Sequence, residues 1–157
     1  MDNSVEMGLS AEKKFVQVMK GEGNTVGKST KNQDMFEHWD YLINDLHRVE
    51  VKGRKKRKRH DSKPDDEIIY VEFSNVRGND GWIYGKADYV AFERPEGFLI
   101  VPRKKLVDLA ENLVSSSFTK YPTIYKSYRR RDRPEEHVGL IRYDDLLTIP
   151  HRLVKFK

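Results

Sequence analysis

Cysteine is absent from all 157 residues. That excludes a disulfide framework, a thiolate zinc site and a cysteine nucleophile. The five histidines are scattered, and none forms a zinc-type pair. Long apolar runs are missing too: no stretch approaches the roughly 18 residues of a membrane span, and the first residues, Met-Asp-Asn-Ser-Val-Glu, lack the basic-then-apolar order of a secretory signal. The expected compartment is the cytoplasm, that of the host cell for a viral source, or the nucleus for a eukaryotic one. No internal repeat is present, and the length suits a single domain spanning 1–157. A nucleotide-binding loop is excluded at residues 21–32. The glycine that should stand five residues before Gly27 is Glu22, and the stretch follows a helical pattern rather than a buried strand. It reads as a polar linker whose Lys28 and Lys31 can touch phosphate.

What the chain has is charge, unevenly placed. The net charge is +5, yet Arg54, Lys55, Lys56, Arg57, Lys58 and Arg59 form one run, without which 24 basic residues face 25 acids. A smaller cluster comprises Arg129, Arg130, Arg131 and Arg133. Such concentrated positive charge suits a phosphate backbone; the alternatives are a solvated loop or a nuclear import signal. The run immediately follows the stretch richest in chemistry, which favours nucleic acid.

That stretch is Asp40 to Lys52. Asp40 opens one apolar run, Asn44-Asp45 breaks it, and a second run alternates so that Glu50 and Lys52 project from one side while Val49 and Val51 face the core. If the runs pair as neighbouring strands, two carboxylates and one ammonium converge on a rigid sheet, as needed to hold a hard cation against a phosphate. The order Asp40, then Glu50-x-Lys52, resembles the core of the PD-(D/E)XK nuclease superfamily, which includes restriction enzymes, phage endonucleases and Holliday-junction resolvases. Gly81-Trp82-Ile83-Tyr84 followed by Ala87-Asp88-Tyr89 is similar to the segment after the third core strand in several phage-borne members. The resemblance covers about Glu12 to Val101.

The resemblance implies an α/β (α+β) fold, a central mixed sheet flanked by helices with an αβββαβ core of restriction-endonuclease type. It implies Mg²⁺ or Mn²⁺ held by Asp40, Glu50 and the Val51 carbonyl, with Lys52 orienting the attacking water and Glu12, on the first helix, reaching the same site. Asp34 is the rival to Asp40, His38 is a candidate for positioning water, and Glu72 is a further candidate if its strand adjoins the Glu50 strand. Arg54 to Arg59, Lys86 and Arg129 to Arg131 are the expected nucleic-acid contacts. The implied activity is metal-dependent endonucleolytic hydrolysis of DNA, branched DNA included, and a junction substrate would call for a homodimer. Two alternatives stand beside it: a basic DNA- or RNA-binding protein without turnover, and a phage host-interaction protein using the Tyr/Arg-rich region.

Local patterns predict the remaining elements. Residues 1–8 read as frayed, with Ser10 capping a helix that turns Phe15, Val16 and Met19 inward. A third strand is expected at 67–75, after a basic loop at 54–66. Trp82 and Tyr84 read as a core plug, with base stacking the alternative. Phe98 to Val101 reads as a buried strand, and Pro102 starts a helix with Leu106, Leu109, Ala110 and Leu113 inward. Residues 115–137 read as a polar flap or insertion. A last strand at 139–143 leads to a short helix capped by Asp144, with Leu146 and Leu147 inward.

Overall fold

The computed structural model describes residues 4–58, 60–129 and 132–157. Arg59, Arg130 and Arg131, three of the expected nucleic-acid contacts, lie outside the described residues. In chain order the elements are α1 (Ser4–Gly21), β1 (Val26–Lys28), a π-helical turn (Gln33–Glu37), β2 (Tyr41–Ile43), β3 (His47–Lys52) and β4 (Ile68–Ser74). A 3₁₀ turn (Trp82–Tyr84), β5 (Tyr89–Arg94), β6 (Gly97–Pro102), α2 (Arg103–Leu113), β7 (Ser115–Thr119) and β8 (Lys126–Tyr128) follow. The chain closes with β9 (His137–Arg142), α3 (Tyr143–Leu146) and β10 (Arg152–Lys155). This is a mixed α+β protein with two mixed sheets and few helices. No helix among the described residues is long and apolar enough to cross a membrane.

The chain forms two compact units. The first gathers Met1–Lys55, Lys86–Arg103 and Pro150–Lys157. Its six-stranded sheet runs β1-β2-β3-β5-β6-β10, with β3 and β5 parallel and every other pair antiparallel. The hairpin between β2 and β3 follows from its turn chemistry. Asn44 and Asp45 both have positive φ, 53° and 55°, as the central residues of a turn that the Leu46 N–H closes by donating to the Ile43 carbonyl, a left-handed pair that matches strand twist. The Asn44 side chain then accepts from the Thr25 N–H and donates to Asn24, tying the turn to the chain that precedes β1. One face of the sheet packs under α1, where Ala11, Phe15, Val18 and Met19 meet Tyr41, Ile43, Val49, Val51, Ala91, Phe98 and Val154. Phe15 is the centre of this core, with its ring 5.3 Å from Phe98 and 5.9 Å from Tyr41. At the far edge Gly97 lets β10 approach, since a Cβ there would fall on the Val154 carbonyl.

The second unit gathers Lys56–Gly85 and Lys104–Ile149. Its four-stranded sheet runs β4-β9-β8-β7, antiparallel except for β7 with β8. Val71, Leu140 and Ile141 are fully buried, as are Leu106 and Ala110 of α2. Trp82 and Ile83 are buried, in line with the core-plug reading, whereas Tyr84 stays partly exposed with its hydroxyl donating to Glu111.

Several expectations are corrected. The helix begins at Ser4, not at Ser10, because no residue from 4 to 9 breaks it and a lone glycine is tolerated. The linker at 21–32 contains β1, too short for its alternation to register. The stretch at 115–137 contains two strands, β7 and β8, that its polar composition does not mark. Asp144 is not the cap of α3. The Asp145 carboxylate accepts from the Arg142 N–H, and Leu147 is exposed while Leu146 is buried. β10 is a further strand, at Arg152–Lys155. The strand expected beside β3 is also not the one found there. β4 belongs to the other sheet, and β5 pairs with β3. Parallel neighbours require a crossover connection, and here the chain between β3 and β5 runs through the second unit instead of turning straight back.

Candidate functional site

All the residues that gather into the site belong to the first unit. β3 holds Glu50 and Lys52 two residues apart, so both side chains leave the same face, and the Lys52 ammonium lies 3.1 Å from Glu50 Oε1. Asp40 sits just before β2, anchored at three points. Its N–H donates to the Val49 carbonyl, its carbonyl accepts from the Ser29 N–H, both at 2.9 Å, and its Oδ2 accepts from the Val51 N–H at 2.7 Å. Both carboxylates are buried, at 5% and 6% exposure.

Burial of these acids has a charge cost. Asp40 is pushed up to about 8, first by loss of solvent and then by the neighbouring Glu50 charge, against the lowering effect of the Val51 hydrogen bond. Glu50 is also raised, again chiefly by burial, with Lys52 pulling the other way. The charges of Glu12 and Asp34 act on both groups. The expected acids therefore share one electrostatic neighbourhood, with Asp40 and Glu50 buried at its centre and Glu12 and Asp34 around them.

One atom stands out. Glu50 Oε2 is buried and has no hydrogen-bond partner among the described residues, and the Ser29 hydroxyl shares that condition. Such groups cost free energy unless something satisfies them. Glu93 on the neighbouring β5 provides a contrast. It is equally buried, yet its Oε2 takes the Lys14 ammonium at 3.0 Å and its Oε1 takes the Arg54 N–H at 3.1 Å. Burial of an acid in this unit thus does not by itself leave an oxygen without a partner.

The donor set suits a hard divalent cation, which takes carboxylate and carbonyl oxygens. The Val51 N–H points at Asp40, and a strand residue's N–H and C=O leave on the same edge, so its carbonyl lies on that side as well. Asp40, Glu50 and Val51 are the residues that could hold the ion. Among the described residues, no three His, Asp or Glu side chains are gathered as a ready metal group, so a bound ion would draw on the carbonyl and on water to complete its shell.

Glu12 is engaged differently from expectation. Its Oε1 accepts from Lys28 at 3.0 Å, while the Lys28 ammonium stands 4.7 Å from the centre of the Tyr41 ring. Burial pulls the Lys28 pKa down, but the Glu12 bond and the Asp40 charge outweigh it and leave it raised. Tyr41 is raised by burial and by Glu12. Lys28 and Ser29 thus join the neighbourhood, although the sequence around them reads only as linker. Their signal was the short distance to Asp40, and that depends on β1 pairing with β2.

His38 adopts a left-handed backbone (φ 56°) at the end of the π-helical turn. Glu72 is carried by β4 in the second unit's sheet and not on a strand beside β3, which corrects the premise on which it was a candidate. Lys86 is exposed, and its N–H donates to the Glu37 carbonyl. The basic run crosses between the units, with Arg54 and Lys55 in the first and Lys56, Arg57 and Lys58 in the second. Arg129 stacks on the Phe118 ring at 4.2 Å. No family model, no curated protein and no solved structure matches this chain.

Proposed function

We propose that the protein is a metal-dependent phosphodiesterase acting on DNA, its site formed by Asp40, Glu50, Val51 and Lys52. The observation that carries this reading is the buried pair of carboxylates beside an ammonium, with Glu50 Oε2 lacking a partner among the described residues. Two acids held this dry and this close favour a ligand of opposite charge, which would replace the proton that Asp40 otherwise keeps at neutral pH. Mg²⁺ or Mn²⁺, when bound, would acidify a water and neutralise charge growing on phosphorus.

The chain's own residues do the rest. Asp40 is fixed by its three hydrogen bonds, so it needs no reorganisation on binding. Lys52, a compact ammonium on a flexible stem, can leave Glu50 Oε1 to hold a water or a phosphate oxygen. Arg54 to Lys58, next along the chain, supply charge for the backbone of a nucleic acid. The resemblance to the PD-(D/E)XK pattern supports the same assignment, on three residues.

The test is incubation with duplex, single-stranded and four-way-junction DNA in Mg²⁺, Mn²⁺ or chelator. Divalent-dependent cleavage is expected, with a loss of at least about a hundredfold in Glu50→Gln while the circular dichroism spectrum is unchanged. Cleavage that survives chelation or Glu50→Gln would remove the assignment.

A further inference from the structure

Cations flank the candidate site along the strand that carries it. Arg48, Glu50 and Lys52 alternate on β3 and leave one face of the sheet, so Arg48 is rooted about 6.6 Å from Glu50, on the side away from Lys52. Arg54 follows Lys52 on the other side, with its N–H held by the Glu93 carboxylate.

Arg48 has close company across the sheet. Val49 stands opposite Tyr89 on β5, and Tyr89 opposite Pro102 on β6. The next row is therefore Arg48, Asp88 and Arg103, all in the first unit. Its backbone bonds agree: the Asp88 N–H donates to the Arg48 carbonyl at 2.8 Å, and the Arg103 N–H donates to the Asp88 carbonyl at 3.0 Å. The Asp88 carboxylate accepts from the Arg48 N–H at 2.8 Å and lies 3.7 Å from Arg48 Nε. Arg103 Nε donates to the Ala87 carbonyl at 2.7 Å, which orients its guanidinium plane. The charges acting on Arg103 are those of Asp88 and Arg48, and the second guanidinium adds to burial in lowering its pKa. Two cations thus share one acid.

The Arg48 and Asp88 side chains both remain 40% exposed. An ion pair as long and wet as theirs contributes little, so an oxyanion can take its place. A phosphodiester presents two anionic oxygens, which suit guanidinium donors better than an ammonium. The step from Glu50 to Arg48 is also close to the step between consecutive phosphates of one nucleic-acid strand.

We propose that Arg48 and Arg103 form a subsite for the phosphate next to the one being cut, so that a DNA strand runs along β3 and the substrate is an internal phosphodiester. This deepens the hydrolase reading and rests on it for the reaction. The experiment uses the full chain and a duplex whose cut is first mapped in Mg²⁺. The phosphate on either side of the cut is then replaced, one at a time, by a neutral methylphosphonate. Arg48→Gln should slow cleavage of the unmodified duplex about tenfold. Neutralising one neighbouring phosphate should cost wild type a similar factor and cost Arg48→Gln nothing more, whereas the loss from neutralising the other should add to that of the substitution. Arg103→Gln should couple to the same neighbour as Arg48→Gln. Since only an exposed pair is lost, the melting midpoint of Arg48→Gln should match wild type. Losses that add at both positions would overturn the subsite, because a merely structural role for Arg48 is indifferent to where the DNA loses its charge.

Binding in chelator reads the contact without turnover. The slope of log K against log salt should fall by about 0.9 in Arg48→Gln and return in Arg48→Lys, which keeps the charge. An unchanged slope would overturn the subsite even where cleavage is seen. A reduced slope beside no cleavage in any divalent ion would sink only the hydrolase reading and leave Arg48 as a phosphate contact.

Discussion

Replacing Asp40 with asparagine should make the metal-free protein more stable at alkaline pH. The native carboxyl titrates at about 8 against an ordinary 3.8. Between those values the unfolded chain has lost a proton that the native state still holds, so stability falls as pH rises through that window. The contribution is fully present below about pH 4 and is gone above about pH 8. At roughly 1.4 kcal/mol per pH unit, the upper bound is on the order of 6 kcal/mol. Relaxation and water entry around the ionised group reduce it to about 3 kcal/mol, or about 10 °C in melting midpoint for a chain of this size. The asparagine side chain would carry no charge and could still accept from the Val51 N–H through its amide oxygen.

The assay is thermal melting from pH 4 to 9 in chelator, followed by Trp39 fluorescence in a Trp82→Phe background. Trp39 and Asp40 share a unit, while Trp82 belongs to the other. The two proteins should coincide near pH 4 and diverge to about 10 °C at pH 8, with Asp40→Asn the more stable. Saturating Mn²⁺ should then raise the wild-type midpoint at pH 8, by about 2.7 kcal/mol at a hundredfold excess over Kd, and leave Asp40→Asn unmoved. An Asp40→Asn protein that is less stable at pH 8, or a wild type whose stability does not fall relative to it, would refute the idea that uncompensated charge strains this site.

Lys52→Ala removes the ammonium beside Glu50 and leaves a buried carboxylate without its counter-charge. Urea denaturation at pH 7 should show a loss of about 3 kcal/mol, shrinking as acid protonates Glu50; a loss equal at pH 4 and pH 8 would mean that Lys52 matters only for packing. Changing Arg54, Lys55, Lys56, Arg57 and Lys58 to glutamine should weaken DNA binding and lower the slope of log K against log salt by roughly 0.9 for each phosphate that is no longer neutralised. An unchanged slope in filter-binding titrations would show that the run does not meet the backbone.

Legibility divided along physical lines. The hairpin of β2 and β3 could be read because Asn44-Asp45 and the alternation of Val49, Glu50, Val51 and Lys52 are local features, set by backbone sterics and the period of two. The same period placed Glu50 and Lys52 on one face and Val49 and Val51 in the core. Phe98 to Val101 and the stripe of α2 were legible for the same reason. Sheet membership was not. The alternation of β4 is equally good for either sheet, and only pairing with β9 shows where it belongs. Ser29 and Lys28 gain meaning only from β1 lying against β2.

By itself, then, the sequence determined which residue types can do acid, base and phosphate chemistry, and which neighbours along the chain share a side. Tertiary structure decided how dry Asp40 and Glu50 are, which oxygen goes without a partner, and which strand stands next to β3. Pattern reports what a few consecutive residues prefer. Desolvation and strand pairing depend on segments far apart in the chain, and no local preference encodes them.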